Sequence, residues 1–204
     1  MKQFIKIFLL ALLLLLVMIY GDVRTGFLDV SHWDLLMALF GLGEPTLEMT
    51  VLDFRLVRII LALLIGVGLG LAGAVFQTIS RNDLASPSIL GVNAGAGLGV
   101  ILLVYFLNSD TALSMWALAL VALVGGLATA GLIYRLAYHK GQVLNPQALI
   151  LTGIAVAAGI HAIQMLLIVR LDPNKFHVVN TWIIGSIANN SWAHVALLAP
   201  VVII

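Results

Sequence analysis

Residues 59–80 read IILALLIGVGLGLAGAVFQTIS, a stretch with no Asp, Glu, Lys or Arg. The hydrocarbon core of a bilayer is about 30 Å thick, and roughly 20 apolar residues at 1.5 Å each cross it as a helix. The stretch is long enough for that crossing. Because backbone amides in lipid must pair within their own segment, it predicts a transmembrane α-helix.

The composition of the whole chain also indicates a membrane protein. Of its 204 residues, 62% are hydrophobic and 9% are charged, whereas soluble domains carry about 25% charged residues. Nine acidic and ten basic side chains are too few to cover the surface of a water-soluble core. The absence of Cys excludes disulfides and thiolate metal sites, and no basic patch is present to bind nucleic acid.

Charge-poor intervals recur along the chain and predict six spanning helices, near residues 4–20, 57–79, 89–107, 112–134, 148–169 and 192–204. The predicted fold class is all-α, a polytopic transmembrane helical bundle, with residues 1–204 in a single transmembrane domain. The last interval has 13 residues, about 20 Å of helix, which is too short for a crossing. We therefore expect the chain to be the N-terminal part of a longer protein.

The first predicted span has two interpretations. Lys2 and Lys6 before an apolar run also suit a cleaved signal peptide, but no A-x-A-like site follows Tyr20, which favours a retained anchor. With a cytoplasmic N-terminus, five Lys or Arg residues lie on each side, so we base the orientation on the two lysines before the first helix. The long connections 21–55 and 170–191 then lie on the outer side.

Glycines recur at intervals of four in two of the predicted helices. They are Gly66 and Gly70 in the second span, and Gly91, Gly95 and Gly99 in or beside the third. Small residues four apart lie on one helical face and let two backbones approach closely, so we predict that these glycines pack helix against helix. Residues 68–73 also match G-x-G-x-x-G, but a dinucleotide site needs a preceding strand, which this lipid-soluble run excludes.

His161 lies near the middle of the fifth predicted span, with Gln164 on the same helical face. An ionisable group at that depth must face protein or water, so the pair is a candidate for a transport pathway. A neutral histidine that is hydrogen-bonded to a neighbouring helix is the alternative. The other histidines form no ligand cluster, and no metal site is predicted.

The sequence contains no motif for catalysis. H-E-x-x-H, G-x-S-x-G and the P-loop are all absent, so no catalytic residue is assigned and the chain is not expected to be an enzyme. The predicted spans also contain no Asp or Glu, which disfavours a proton- or sodium-coupled carrier. We therefore expect another subunit to supply the energy for any transport.

Four motifs occur in a fixed order along the chain. Residues 55–66 and 71–77 read RLVRIILALLIG and LAGAVFQ, and residues 82–95 read NDLASPSILGVNAG. Residues 151–155 read LTGIA, and residues 182–192 read WIIGSIANNSW. Together they resemble the permease subunits of iron-siderophore and cobalamin ABC importers, the FecCD family. The chain departs from the family pattern at Val57 and Asp83, where proline is usual.

The resemblance implies an architecture and a set of partners. Such permeases have ten spanning helices, of which this chain would supply the first six, and they pair with a second permease subunit, the same chain or a paralogue. They bind cytoplasmic ATP-binding subunits, which hydrolyse the ATP, and receive substrate from an extracytoplasmic substrate-binding protein. No cofactor is implied. The implied location is the inner membrane of a bacterial cell, with the N-terminus in the cytoplasm.

The resemblance also implies roles for particular residues. Arg55 and Arg58 match arginines that dock onto glutamates of the binding protein, although two arginines at a helix mouth also suit interfacial snorkelling. Asn82 and Leu84 match positions of the cytoplasmic gate. Helix five lines the pathway in this family, which favours a pathway role for His161.

The sequence therefore predicts a permease subunit of an ATP-driven importer that passes an iron-siderophore, haem or cobalamin-like substrate by alternating access. A self-sufficient secondary carrier or channel, or a structural or assembly membrane protein, are the alternatives. Selectivity in such systems lies largely with the binding protein, so the sequence does not name the chelate. Residues 1–204 alone are expected to be inactive in transport.

Overall fold

The computed structural model of the chain describes residues 2–25, 30–82, 86, 91–107, 114–138, 145–188 and 190–203. All regular structure within these ranges is helical, with nine α-helices and one π-helical segment, Met49–Leu56. The α-helices are α1 (Lys2–Arg24), α2 (His32–Leu39), α3 (Pro45–Glu48), α4 (Val57–Ser80), α5 (Val92–Phe106), α6 (Met115–Ala137), α7 (Pro146–Ile168), α8 (Pro173–Ile184) and α9 (Trp192–Ile203).

Six of these helices coincide with the six predicted spans. Four stretches are long and apolar enough to cross a membrane: α1, the continuous stretch Pro45–Ser80 that ends with α4, Trp116–Ala137 in α6, and α7. The other two, α5 and α9, are apolar but shorter, with 15 and 12 residues. Apolar helices thus occur at these six places, and four of them have the length of a span; that all six cross the membrane stays a prediction.

The two long connections predicted on the outer side contain helices of their own. At the start of α2, Ser31 Oγ accepts a 3.2 Å hydrogen bond from the N–H of Asp34, whose carboxylate accepts from the N–H of Ser31 at 3.3 Å. At the start of α8, the carboxylate of Asp172 accepts from the N–H of Lys175 at 2.9 Å, and Pro173 occupies the first turn. The capping residues are visible in the sequence, although no helix was predicted in either connection.

The chain divides into two compact units. One consists of the described residues within 1–69 and 187–204, and the other of those within 70–186. The division falls inside α4, which contributes residues to both units. The single transmembrane domain expected over residues 1–204 stays a prediction.

The first unit contains a small apolar core formed around α2, α3 and the π-helical segment. Its buried members are Val30, Ala38 and Val51, and Leu35, Leu47 and Leu52 pack against them. Two polar contacts join other helices to this region. The hydroxyl of Tyr20 on α1 lies 2.8 Å from Nδ1 of His32, and Nε1 of Trp192 on α9 donates to Oδ1 of Asp53 at 3.2 Å.

The second unit is organised around α5. Its core comprises Val100, Ile101 and Val104 of α5 together with Val179 of α8. Residues of α6 and α7 pack against this core, among them Leu118, Ala122, Leu167 and Ile168. The short helix α5 therefore contacts α6, α7 and α8, and this arrangement positions the site described next.

Candidate functional site

The second unit contains a cavity of about 410 Å³ that is lined by α5, α7 and α8. Small residues form much of its wall, namely Gly91, Ala94, Ala96, Gly97 and Ala157. The polar and aromatic residues that line it are Asn93, His161, Gln164 and Trp182. A concave space with mostly apolar walls and a few polar groups is the usual form of a small-molecule site.

His161 and Gln164 form a hydrogen-bonded pair at this cavity. His161 Nδ1 lies 2.9 Å from Gln164 Oε1, and Gln164 Nε2 donates to the backbone carbonyl of Ala94 at 2.8 Å. Gln164 is buried, whereas His161 is exposed. The structure thus brings together the two residues predicted to share a helical face, and extends their contact from α7 to α5.

The carbonyl of Ala94 determines the hydrogen-bonding pattern of the pair. A carbonyl oxygen can only accept, so the NH₂ group of Gln164 faces Ala94 and its Oε1 faces His161. Because Oε1 also only accepts, we infer that Nδ1 carries a proton, and we consider the neutral form of the imidazole. Nε2 then holds the lone pair, and it has no partner among the described residues. His161 therefore offers a hydrogen-bond acceptor to a molecule in the cavity.

Gly97 and Trp182 belong to this site and were not predicted as site residues. A Cβ at Gly97 would lie 2.9 Å from Gln164 Nε2 and 3.6 Å from Trp182 Cζ3, so glycine makes room here for the Gln164 amide. The sequence does show a glycine-rich run at residues 95–99, but Gly97 does not belong to the four-residue spacing of Gly91, Gly95 and Gly99 from which helix packing was predicted. Trp182 appeared only as part of a family motif.

Three of the predicted packing glycines lie at close helix contacts. Gly91 precedes α5 with a φ of +74°, and a Cβ there would lie 2.9 Å from the carbonyl oxygen of Gly153 on α7. On the face toward α6, a Cβ at Gly95 would lie 2.6 Å from the carbonyl of Gly125, and one at Gly99 would lie 2.8 Å from that of Val121. The backbones of α5 and α6 therefore approach too closely for a side chain between them.

The two predicted packing glycines of α4 have a different environment. A Cβ added at Gly66 or Gly70 would meet no described atom within 4 Å. The packing role expected for them stays a prediction, since no described part of the chain occupies that face.

Arg55 and Arg58 both contact the C-terminal turn of α1. Arg55 is 5% exposed, and its Nη1 donates to the backbone carbonyl of Val23. Arg58 forms a salt bridge with Asp22, with Nη2 and Oδ1 2.6 Å apart and side chains 40% and 37% exposed. A guanidinium near the last carbonyls of a helix is favourable because that end carries partial negative charge. Of the two arginines, Arg58 has the more exposed side chain.

The predicted gate residues lie after α4. The backbone N–H of Asn82 donates to the carbonyl of Gln77 at 3.3 Å, and the residue is exposed. Leu84 lies outside the described residues. As for metals, the described ranges bring no three His, Cys, Asp or Glu side chains together in a group that would hold an ion.

Apolar helices of spanning length, a close glycine-mediated helix contact and a polar pair inside an otherwise apolar helix define a polytopic α-helical membrane protein. Residues 10–204 match the model of the FecCD transport family, and the chain belongs to that family.

Individual relatives agree with this assignment. The chain is 38% identical over 200 residues to the iron-uptake system permease protein FeuC of Bacillus subtilis (strain 168), a match that covers 96% of this chain and 59% of FeuC. It is 37% identical to the iron(3+)-hydroxamate import system permease protein FhuG of the same organism, covering 94% of this chain and 58% of FhuG. It is 34% identical to the ferric enterobactin transport system permease protein FepG of Escherichia coli (strain K12), and the match covers 89% of this chain and 53% of FepG.

A solved structure is similar as well. A metal-chelate type ABC transporter in an inward-facing conformation superposes with a TM-score of 0.75 at 27% identity, covering 94% of this chain and 56% of that chain. The chain thus spans between 53% and 59% of the length of the relatives and the structure described.

Proposed function

We propose that the chain forms part of the permease subunit of an ATP-driven importer of iron chelates that works by alternating access. The observation that carries this proposal is the match to the FecCD transport family over residues 10–204, with relatives named as permeases of iron-uptake systems. The apolar helices of α1, α4, α6 and α7 supply the membrane-spanning scaffold. The cavity beside α5 and α7 supplies a site for a small molecule.

The proposed assembly contains three kinds of partner. Two cytoplasmic ATP-binding subunits supply the energy, an extracytoplasmic binding protein delivers the chelate, and a second permease subunit completes the pathway. The protein lies in the bacterial inner membrane with its N-terminus in the cytoplasm. Its proposed substrate is an iron-siderophore, and haem or a cobalamin-like molecule is the alternative.

His161 and Gln164 are proposed to line the pathway. Gln164 is held by the carbonyl of Ala94 and in turn orients the imidazole, so the pair is a fixed polar group in a helix that has no Asp, Glu, Lys or Arg from Pro146 to Ile168. A polar side chain inside such a helix is costly in lipid unless protein or water receives it. The cavity at His161 meets that requirement.

Arg58 is proposed to dock the binding protein, with Arg55 as the residue that positions it. Arg58 is half-exposed and already binds a carboxylate, that of Asp22, through Nε and Nη2, which shows that its guanidinium can pair with a carboxylate in this position. Arg55 is buried and anchors the end of α1 at Val23. Docking through an exposed charge pair affects mainly the rate and salt dependence of association.

Movement is proposed to separate rigid helix pairs. Because the backbones of α5 and α6 meet at Gly95 and Gly125 with no room for a side chain, these two helices move as one body. Asn82, which follows α4, and Leu84 are proposed to close the pathway on the cytoplasmic side.

Reconstitution into liposomes tests the proposed function. The permease, expressed from its complete reading frame, is reconstituted with its ATP-binding subunit and binding protein, and uptake of radioactive iron chelates is measured. We expect uptake that requires ATP and stops when the P-loop lysine of the ATP-binding subunit is replaced. Uptake driven by an ion gradient without ATP would instead establish a secondary carrier, and no uptake of any iron chelate, haem or cobalamin would leave only a structural role.

A further inference from the structure

The lining of the cavity beside α5 and α7 includes polar groups but no charged residue among those described. None of the described residues that line it is Asp, Glu, Lys or Arg. Three lining residues nevertheless have hydrogen-bonding atoms with no partner in the described part of the chain: the amide of Asn93, Nε2 of His161 and the indole N–H of Trp182. A ligand of this cavity would therefore meet hydrogen-bonding groups but no countercharge.

The three groups differ in what they offer. In the neutral imidazole, Nε2 of His161 is an acceptor, because the contact with Gln164 holds the proton on Nδ1. The indole of Trp182 is only a donor, and the amide of Asn93 is both donor and acceptor. A secondary amide has one N–H and one C=O, so a molecule with several amide groups can use all three residues at once.

A lining without charged residues favours a ferric chelate whose own net charge is zero, and the net charge follows from the chelating groups. Three hydroxamate groups, each a monoanion, neutralise a tripositive ferric ion, whereas three catecholate groups, each a dianion, leave three negative charges on the complex. A trianion bound there would lose part of its hydration with no charged group among the described lining residues to offset the loss, which is unfavourable. A neutral complex avoids that cost.

We propose that this cavity recognises the uncharged, amide-bearing face of a ferric trihydroxamate chelate, with His161 Nε2 accepting a hydrogen bond from a ligand N–H. The inference rests on the proposed function, because it assumes that a ferric chelate passes this site. At about 410 Å³ the cavity falls within the usual range for small-molecule sites, about 300–1,000 Å³, and holds one side of such a chelate. Gly97 and Ala157, which have no side chain or only a methyl group, leave room in the cavity for that face of the chelate.

Equilibrium binding to the permease complex in lipid nanodiscs, without the binding protein, tests the site itself. The probes are a cyclic-peptide trihydroxamate and a triscatecholate, both loaded with radioactive iron. We expect the trihydroxamate to bind at least about tenfold more tightly. Equal or tighter binding of the triscatecholate, or no binding of either probe at millimolar concentration, overturns the inference.

Two substitutions assign the effect to the named groups. His161→Phe keeps a planar ring but removes the acceptor, and should weaken trihydroxamate binding about tenfold. The same change at His177, an exposed residue of α8 that does not line the cavity, is the matched control and should leave binding unchanged. Equal effects of the two changes overturn the inference.

Asn93→Lys introduces a cation into the cavity and should shift the preference toward the triscatecholate; an unchanged ratio of the two affinities contradicts the role of charge.

ATP-driven uptake, measured in liposomes with the binding protein, separates this inference from the proposed function. Uptake that persists at the parent rate in His161→Phe refutes the cavity assignment alone, whereas parent protein that takes up no iron chelate refutes the proposed function.

Discussion

The side-chain amide of Gln164 donates a 2.8 Å hydrogen bond to the backbone carbonyl of Ala94, although the two residues are 70 positions apart. The bond ties α7 to the first turn of α5, and it leaves Oε1 of Gln164 to orient His161. A bare backbone at Gly97 is what allows the amide to come so close. One glutamine therefore both joins two helices and sets the hydrogen-bonding state of the imidazole at the cavity.

Replacing Gln164 should destabilise the second unit. Gln164→Met keeps the length and volume of the side chain but removes the buried hydrogen bond, so we expect a loss of about 1–2 kcal/mol in unfolding free energy. Thermal unfolding of the purified protein in detergent measures the change. Gln147→Met, the same substitution at an exposed position of α7, should have no effect, and an equal loss at both positions would contradict the role of the Ala94 contact.

The glycine contact between α5 and α6 should be sensitive to a single methyl group. Gly95→Ala would place a Cβ against Oγ1 of Thr129, 2.5 Å from Cβ of Thr129 and 2.6 Å from the carbonyl oxygen of Gly125. Because backbone atoms must move apart to receive it, we expect a loss of about 1–3 kcal/mol, measured by thermal unfolding in detergent.

Gly66→Ala provides the matched comparison on α4. A Cβ at Gly66 meets no described atom within 4 Å, so the change should be neutral or stabilising by up to about 1 kcal/mol, because alanine favours a helix more than glycine does. A loss at Gly66 as large as that at Gly95 would show that its face packs against something outside the described part of the chain.

Local patterns were sufficient to predict the helices but not their partners. The charge-free run of α4 and the four-residue spacing of Gly95 and Gly99 depend on neighbouring residues only, so each follows from the sequence. The contact from Gln164 to Ala94 depends on how α7 lies against α5, which no short pattern encodes. Sequence analysis accordingly identified Gln164 and His161 as a pair and missed the carbonyl that orders them.

Arg55 and Arg58 also show that contacts between helices cannot be predicted from short sequence patterns. Their place before and at the start of α4 and their resemblance to docking residues can be seen in the sequence. Their partners, Val23 and Asp22, lie more than 30 positions earlier on a different helix. That Arg55 is buried while Arg58 is half-exposed follows only from the placement of the end of α1.

Removing the Arg55 guanidinium should therefore affect stability. Arg55→Met retains an apolar stem but loses the hydrogen bond to Val23, and we expect a cost of about 1–3 kcal/mol in unfolding free energy because the partly buried carbonyl of Val23 loses a charged donor. Thermal unfolding in detergent is again the measurement. Unchanged stability would show that the contact with Val23 does not hold α1 in place.

Substitution at the Asp22–Arg58 pair should instead affect association with the binding protein, measured by surface plasmon resonance on the complete complex. Arg58→Gln removes the proposed docking charge and should weaken association about threefold to tenfold, less so at high salt, as expected for a half-exposed charge. Asp22→Asn releases Arg58 from its internal partner and should strengthen association by a similar factor. The opposite signs matter, because a pair that only held α1 in place would lose affinity through either change.

Arg24→Gln is the control for a general charge effect, since Arg24 is an exposed arginine in the last turn of the same α1 that carries Asp22. It removes one positive charge near the Asp22–Arg58 pair, and we expect association to change by less than about twofold because exposed charges are screened. If Arg24→Gln weakens association as much as Arg58→Gln does, the partner senses the net charge of this region. A loss confined to Arg58→Gln, together with a gain in Asp22→Asn, requires a carboxylate of the partner to take the place of Asp22 on the Arg58 guanidinium.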